Sequence, residues 1–262
     1  MSLRIQSNVE ALGAHRNLNE TSSKIAKSME RLSSGYRINR AADDAAGLAI
    51  SERMRSQVRG LGQASRNIQD GVSLVQTAEG NLDEVHSMLQ RVRELAVQYK
   101  NGTLSDSDKA ALQTEVNQLA SEIDRIGTSA KFNGVTLLAT ETAVSFQVGV
   151  ADGDEITVST ISLGEKVGDI TDLTAISAID DAISAVSEAR ASFGAVQNRL
   201  EHALTSTQVY AENLTAAESR IRDVDMAAEM VNLTKNQILQ QAGTSMLAQA
   251  NQAPQSILSL IR

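Results

Sequence analysis

Cysteine is absent from all 262 residues, which excludes disulfides, thiol catalysis and cysteine-based zinc sites. That absence is notable for an extracellular protein, where disulfides are the usual stabiliser, and it suits a chain that must pass unfolded through a narrow export channel. Tryptophan is also missing, aromatics make up 2% and there is one proline. The length is enough to bury a sizeable core, but this composition argues against a conventional globular one. No stretch reaches the roughly 18 apolar residues of a membrane span. The N-terminus, MSLRIQSNVEALGAHRN, lacks the apolar segment of a secretory signal peptide. A basic excess is lacking too: the net charge of −8 argues against nucleic acid, whose phosphates need a basic face. Arg53, Arg55 and Arg59 do cluster, but no aromatic beside them could stack on a base. They read as a solvated helix face or an ion-pair surface between subunits.

What the chain has is a beat of seven. Ala, Ser, Leu, Gln and Glu dominate, the profile of long helices and coiled coils. Leu61, Ile68, Val75, Leu82, Leu89 and Ala96 form one column, and Val58, Val72, Val85 and Val92 fall three or four residues away. The two columns make a continuous apolar stripe. The spacing predicts one helix from about Asp43 to Tyr99, roughly 85 Å long at 1.5 Å per residue. The second half repeats the design from Ile176 through Ile179, Ile183, Val186, Phe193, Val196, Leu200, Leu204, Leu214 and Ile221 to Val224. Two long helices far apart in sequence suggest an antiparallel pair. A shorter helix fits Ser105 to Ile126, with Ser105 or Asp106 as its N-cap and Asn101-Gly102 breaking the chain before it.

Between Lys131 and Ile170 the period falls to two. Val144, Phe146, Val148 and Val150 alternate with polar residues, as do Ile156 and Val158, with Ala151-Asp152-Gly153-Asp154 between. This predicts a hairpin, about residues 140–162, with an Asp-Gly turn. The acidic turn lacks the ligand spacing of a calcium loop. The chain ends carry thinner stripes: Ile5, Val9, Leu12, Leu18, Ile25, Met29 and Leu32 at one end, and Val231, Ile238, Ala242, Met246 and Ala250 at the other. Neither stripe is wide enough to hold a helix alone. Each needs a partner, and the simplest partners are the other terminus and neighbouring copies of the chain.

Nothing in the sequence reads as a catalytic, cofactor or metal site. His15, His86 and His202 lie on distant segments, with no HExxH pair, no GxSxG, no P-loop and no dinucleotide fingerprint. Asp43-Asp44 looks like an acid–base pair, but adjacent helix residues point about 100° apart and cannot share a proton across a cleft. At a helix start such carboxylates cap free N–H groups and favour the positive end of the dipole. The chain therefore reads as no enzyme.

Four segments carry a family resemblance: LSSGYRINRAADDAAGLAISERMRSQ, SRNIQDGVSLVQTAEGNLDEVHSMLQRVRELAVQ, KFNGVTLL and SMLAQANQAPQSILSLIR. They resemble bacterial flagellin over roughly residues 1–140 and 175–262. The resemblance implies a mainly α fold of long antiparallel coiled-coil helices with a small β-hairpin region. It implies a structural subunit, secreted unfolded by the flagellar type III apparatus and polymerised into the extracellular filament for swimming. Residues 1–42 with 225–262 would form the inner tube, and 43–224 the surrounding long-helix bundle. Ile5, Val9, Leu12, Ile238, Met246, Leu258, Leu260 and Ile261 would belong to the terminal assembly helices. Implied partners are further copies of the chain, an export chaperone, and cap and hook-junction proteins, with no nucleic acid, membrane insertion or cofactor.

The resemblance extends to innate immunity. Arg91, Leu95 and Gln98, with Glu115, match positions that contact Toll-like receptor 5 in the family. Together with Gln90 and Glu94 they form a candidate surface for receptor recognition, subunit contact, or both. The tail Ile257 to Arg262 resembles the segment read by intracellular flagellin sensors, with Ile261 replacing the commoner Leu. Many flagellins insert large outer domains after the FNGVTLL-like segment, whereas here a short segment leads back to the second long helix. That implies a short form without outer-domain functions. The alternatives are a hook–filament junction protein with similar termini, a cytosolic coiled-coil adaptor, and an enzyme on a helical scaffold, which no constellation supports.

Overall fold

The structure, a computed structural model, describes residues 8–260, with side chains described as far as residue 252. In chain order it runs α1 (Val9–Ser34), α2 (Ala45–Tyr99), α3 (Asp106–Ser129), β1 (Lys131–Phe132), β2 (Val135–Thr136), β3 (Ala143–Gln147), β4 (Glu155–Ser159), α4 (Leu163–Val167), α5 (Ile176–Arg222) and α6 (Met226–Leu260). The mainly α reading of the sequence holds. The chain divides into two compact units, Met1–Ser56 with Leu214–Arg262 and Gln57–Asn213, and α2 and α5 contribute residues to both.

In the unit Gln57–Asn213 the α2 stripe is the core. Leu61, Ile68, Val75, Leu82, Leu89 and Ala96 are all buried, as the seven-residue column requires. The second column is completed by Ala64, Gly71 and Ala78 beside Val85 and Val92, whereas Val58 and Val72 are only half-buried. A Cβ on Gly71 would stand 3.4 Å from Leu200 Cδ1 and 3.3 Å from the Phe146 ring. The smallest residues thus lie where α5 and the β3–β4 hairpin come nearest.

From α5 come Ile179, Ala182, Val186, Phe193 and Leu200, and from α3 Val116, Ile123 and Ile126. Arg190 pairs with Asp83 at 2.9 Å and Arg93 with Asp180 at 2.5 Å. Stepping forward from Asp83 to Arg93 on α2 steps backward from Arg190 to Asp180 on α5, so the two helices run antiparallel. α3 starts where its capping chemistry allows: the Ser105 hydroxyl accepts from the Asp108 N–H while the Asp108 carboxylate accepts from the Ser105 N–H, a reciprocal box that satisfies two orphan donors.

The segment between α3 and α5 packs against this core. Asn133 and Gly134, with φ 47° and 83°, make the two-residue turn of the β1–β2 hairpin, where both central residues must take positive φ. In the second hairpin Phe146 faces Ile156 and Gln147 faces Glu155. The expected Asp-Gly turn is present, with the Asp154 N–H donating to the Ala151 carbonyl at 3.2 Å and Gly153 at φ 97°. It sits in a longer loop, however, because the strand stops at Gln147. The loop bonds to helices instead of extending the ladder: Asn67 Nδ2 donates to the Gln147 carbonyl at 3.2 Å and Thr207 Oγ1 to the Val148 carbonyl at 3.1 Å. Leu137, Leu138, Leu163, Val167, Ile170 and Leu173 are buried behind the hairpins, with α4 as a short turn the periodicity did not announce.

In the other unit, α1 lies along α6. Asn8 starts α1 by accepting from the Ala11 N–H at 3.0 Å, and Gly35 ends it in the left-handed region at φ 75°, a conformation glycine adopts without steric cost. α2 begins as expected of Asp44, whose Oδ1 accepts from the Gly47 N–H at 2.8 Å.

Leu89 and Leu200 are each 0% exposed. Leu→Asp at either buries a charge without a partner and is expected to abolish the helical circular dichroism signal. Leu89→Ala is expected to cost about 2–5 kcal/mol in urea unfolding.

Candidate functional site

The α1–α6 pair is a thin seam. On α1 the less exposed residues include Ala11, Ala14, Leu18, Thr21, Ile25, Ser28 and Leu32; on α6 they are Glu229, Leu233, Asn236, Gln240, Gly243, Leu247 and Ala250. Both sets step by threes and fours, the period of a coiled-coil seam, yet four of the seven α6 residues are polar or lack a side chain. Among the described residues its one buried apolar side chain is Leu233. Close approach replaces bulk: a Cβ on Gly243 would stand 3.1 Å from Leu18 Cδ1, and Asn8 Nδ2 donates to the Ala250 carbonyl at 2.8 Å.

Several large apolar side chains of these helices lie outside the seam. Val9, Leu12, Ile238 and Met246 are 60–67% exposed, and Met230, Val231, Ile238 and Leu239 line a shallow apolar groove on α6 itself. Of the C-terminal stripe read from the sequence, Val231 and Ile238 are thus an outward face, Ala242 and Met246 flank a groove beside α1, and Ala250 alone lies in the seam. An exposed apolar run of this kind marks an interaction surface. Ile5 and Ile261 lie outside the described residues, as do the side chains of Leu258 and Leu260.

A polar joint closes the α1 end of the pair. Ser28 Oγ donates to Glu229 Oε1 at 2.5 Å and Arg31 Nη1 lies 3.6 Å from Glu229 Oε2, with Ser28 and Glu229 both buried. The Arg37 N–H donates to the Arg222 carbonyl at 2.6 Å and the Val224 N–H to the Gly35 carbonyl at 3.0 Å. The Arg222 guanidinium sits 4.6 Å from the Tyr36 ring centroid and pairs with Glu52 at 2.6 Å. Asp43 does not cap α2; it folds the connector. Its Oδ2 accepts from the Asn39 and Arg40 N–H groups at 3.2 and 3.1 Å, and its Oδ1 pairs with Lys27 at 2.6 Å. The Lys27 contact, then these backbone donors, hold the Asp43 carboxyl down at about 2. None of the joint's tertiary partnerships was read from the sequence. The available signal was polar Ser28 and Glu229 at seam positions.

On α2, Gln90, Arg91, Glu94 and Gln98 are exposed. Arg91 Nε and Nη2 donate to Glu115 Oε1 of α3 at 3.0 and 2.9 Å, and Nη1 to Glu94 Oε2 at 3.2 Å. The Glu115 bonds first, then Glu94, raise the Arg91 pKa above its ordinary value. Gln90 lies 2.9 Å from His86 Nε2. These five residues share one surface, but Leu95 does not: it is 1% exposed and packs in the core. Among the described residues there is no group of three His, Cys, Asp or Glu placed to hold a metal, and no helix is long and apolar enough to cross a membrane.

The bacterial flagellin N-terminal helical region matches residues 5–143 and the bacterial flagellin C-terminal helical region matches residues 176–261. The chain is 54% identical to the flagellin of Halalkalibacterium halodurans, over 98% of this chain and 99% of that one. It is 50% identical to the flagellar filament 33 kDa core protein of Treponema phagedenis over the same shares. The crystal structure of Bacillus cereus flagellin superposes with a TM-score of 0.50 at 34% identity, covering 58% of this chain and 94% of that one.

Terminal helices that leave apolar faces open mark an interaction surface, and the matching family is one of structural proteins. The chain belongs to the bacterial flagellin family, the structural proteins of the extracellular flagellar filament.

The Asp43 carboxyl is held below its ordinary 3.8, so its stabilisation is fully present above that value and is lost as pH falls through about 2. Asp43→Asn is expected to lower the thermal midpoint of the polymerised chain at pH 7. Scanning calorimetry should show the gap to the parent closing as pH falls from about 4 to about 2.

Proposed function

We propose that this chain builds its filament through the open faces of α1 and α6, with residues 1–42 and 225–262 forming an inner tube and residues 43–224 a surrounding layer. The observation that carries this reading is the contrast in exposure: Leu82, Val85 and Leu89 are 0% exposed, while Val231 and Met246 are 68% and 64% exposed. The first set is already satisfied within one chain; the second needs a neighbour. A neighbour of the same kind, docked on a different patch, gives a heterologous contact that does not close and therefore grows helically. Export in an unfolded state through the type III apparatus, with a chaperone, cap and hook-junction proteins as partners, fits the cysteine-free sequence and the thin seam.

The same reading assigns Gln90, Arg91, Glu94, Gln98 and Glu115 to a contact surface used between subunits and, on the free subunit, by an innate immune receptor. Arg91, fixed by two carboxylates across α2 and α3, presents a rigid charged plane of the kind that anchors interfaces. Leu95 serves this surface from beneath, by holding α2 in place.

The deciding experiment is electron microscopy of the purified chain added to short filament seeds. Long uniform tubes are expected; short caps on the seed ends would point to a junction protein instead. Deleting Ala250 to Arg262 is expected to leave the circular dichroism of a helical subunit while stopping elongation, and normal filaments from the truncated chain would overturn the inner-tube assignment. Arg91→Ala is expected to weaken receptor binding by the free subunit about tenfold or more without lowering its thermal midpoint.

A further inference from the structure

The α1–α6 seam poses a register problem that its few apolar residues do not solve alone. Both faces repeat every seven residues, so sliding α6 by one heptad, about 10.5 Å, presents an equivalent face to α1. A slide that moves Gln240 into the place of Leu233 also moves Leu247 into the place of Gln240, and Ala250 into that of Gly243. The slide exchanges leucine and glutamine between two seam places and sets an alanine Cβ where Gly243 lies against Leu18, so burial and close packing distinguish the alignments only in part.

We propose that Ser28, Glu229 and Arg31 set the register of the pair. Only the observed alignment brings the Glu229 carboxylate, buried between the helices, within 2.5 Å of Ser28 Oγ and 3.6 Å of Arg31 Nη1. One heptad of slip puts Asn236 in that place, leaving Arg31 without a countercharge, or Arg222, which sets two cations together. In either case Glu229 is torn from its partners. A buried polar group left unpaired is expensive, and a single polar position that fixes coiled-coil register is the best-attested use of such groups. The Tyr36–Asp223 bridge also ties the helix ends, but through partly exposed backbone; the buried cluster is what distinguishes one heptad from the next. The consequence for assembly is a uniform subunit, since a slipped pair would offer its outward faces about 10.5 Å out of step.

The absence of cysteine gives a clean test in the full-length chain. Leu18→Cys with Gly243→Cys reports the observed register, because a Cβ on Gly243 stands 3.1 Å from Leu18 Cδ1. Leu18→Cys with Asn236→Cys or with Ala250→Cys reports a slip in either direction. After mild oxidation, intramolecular cross-links are read by gel shift and peptide mass mapping, with circular dichroism verifying that the chain stays helical. The native pair is expected to dominate in the parent background. In Ser28→Ala/Glu229→Ala the native-to-slipped ratio is expected to fall about tenfold or more, equivalent to ~1.4 kcal/mol. Glu229→Gln, which keeps a bond for Ser28 but gives Arg31 no charge, is expected to fall between the two. An unchanged ratio in the double variant would mean that the bridge and the seam packing set the register without the cluster and would overturn the proposal. Loss of all three cross-links together would also overturn it, because the cluster would then hold the helices together without choosing their alignment.

Discussion

Burial of the α2 heptad stripe against α5 and α3 is the contact on which the rest of the fold depends. Leu82, Val85, Leu89 and Val92 have no exposed surface left, and each fully buried aliphatic side chain contributes about 1.5–3 kcal/mol relative to exposure. The antiparallel ion pairs Arg93–Asp180 and Arg190–Asp83 are half-exposed and so contribute roughly 0–1 kcal/mol each. They mark the alignment of the two helices, while the stripe supplies the stability. With that core closed, the short segment between α3 and α5 needs only to pack against it, which two small hairpins and α4 do with eight buried apolar residues from Leu137 to Leu173. The family regions match on either side of residues 144–175, where no further domain is carried.

Legibility in the sequence followed the strength of the periodic signal. The long helices were readable to within two residues at the marked ends, Asp43 against Ala45 and Tyr99 for α2, because a seven-residue beat sustained over many turns has one physical explanation. The β3–β4 hairpin was readable as an alternation, but not where its strands end, because Asn67 and Thr207 bind the loop backbone from distant segments. The β1–β2 turn carried a local signal that went unread: Asn133-Gly134 is the pair that positive φ at two consecutive residues requires.

At the site the limits are of another kind. Leu95 was grouped with exposed Arg91 and Gln98 through a family correspondence, yet helix geometry turns it inward, next to Ala96 in the core. On α6 the large apolar residues Val231, Ile238 and Met246 drew attention as the paired face, since hydrophobic periodicity locates a stripe without saying what covers it. The face that meets α1 is built from Leu233, Asn236, Gly243 and Ala250, a set of which the hydropathy pattern singled out Ala250 alone. Its identity rests on close backbone approach and on Ser28 and Glu229, whose partnership spans nearly the whole chain.

The weakness of that seam is consistent with its task. A terminal pair that buried Val9, Leu12, Val231, Ile238 and Met246 against itself would gain about 1.5–3 kcal/mol for each, and would have little left to offer a neighbour. With those residues exposed at 60–68%, most of that free energy is gained only when another surface covers them. Association must overcome an estimated 4–15 kcal/mol or more of lost translational and rotational freedom, and several such side chains per subunit reach that range. On the proposed assembly, a polar, closely spaced seam combined with an outward face left unsatisfied would place the stability of the terminal helices in the polymer.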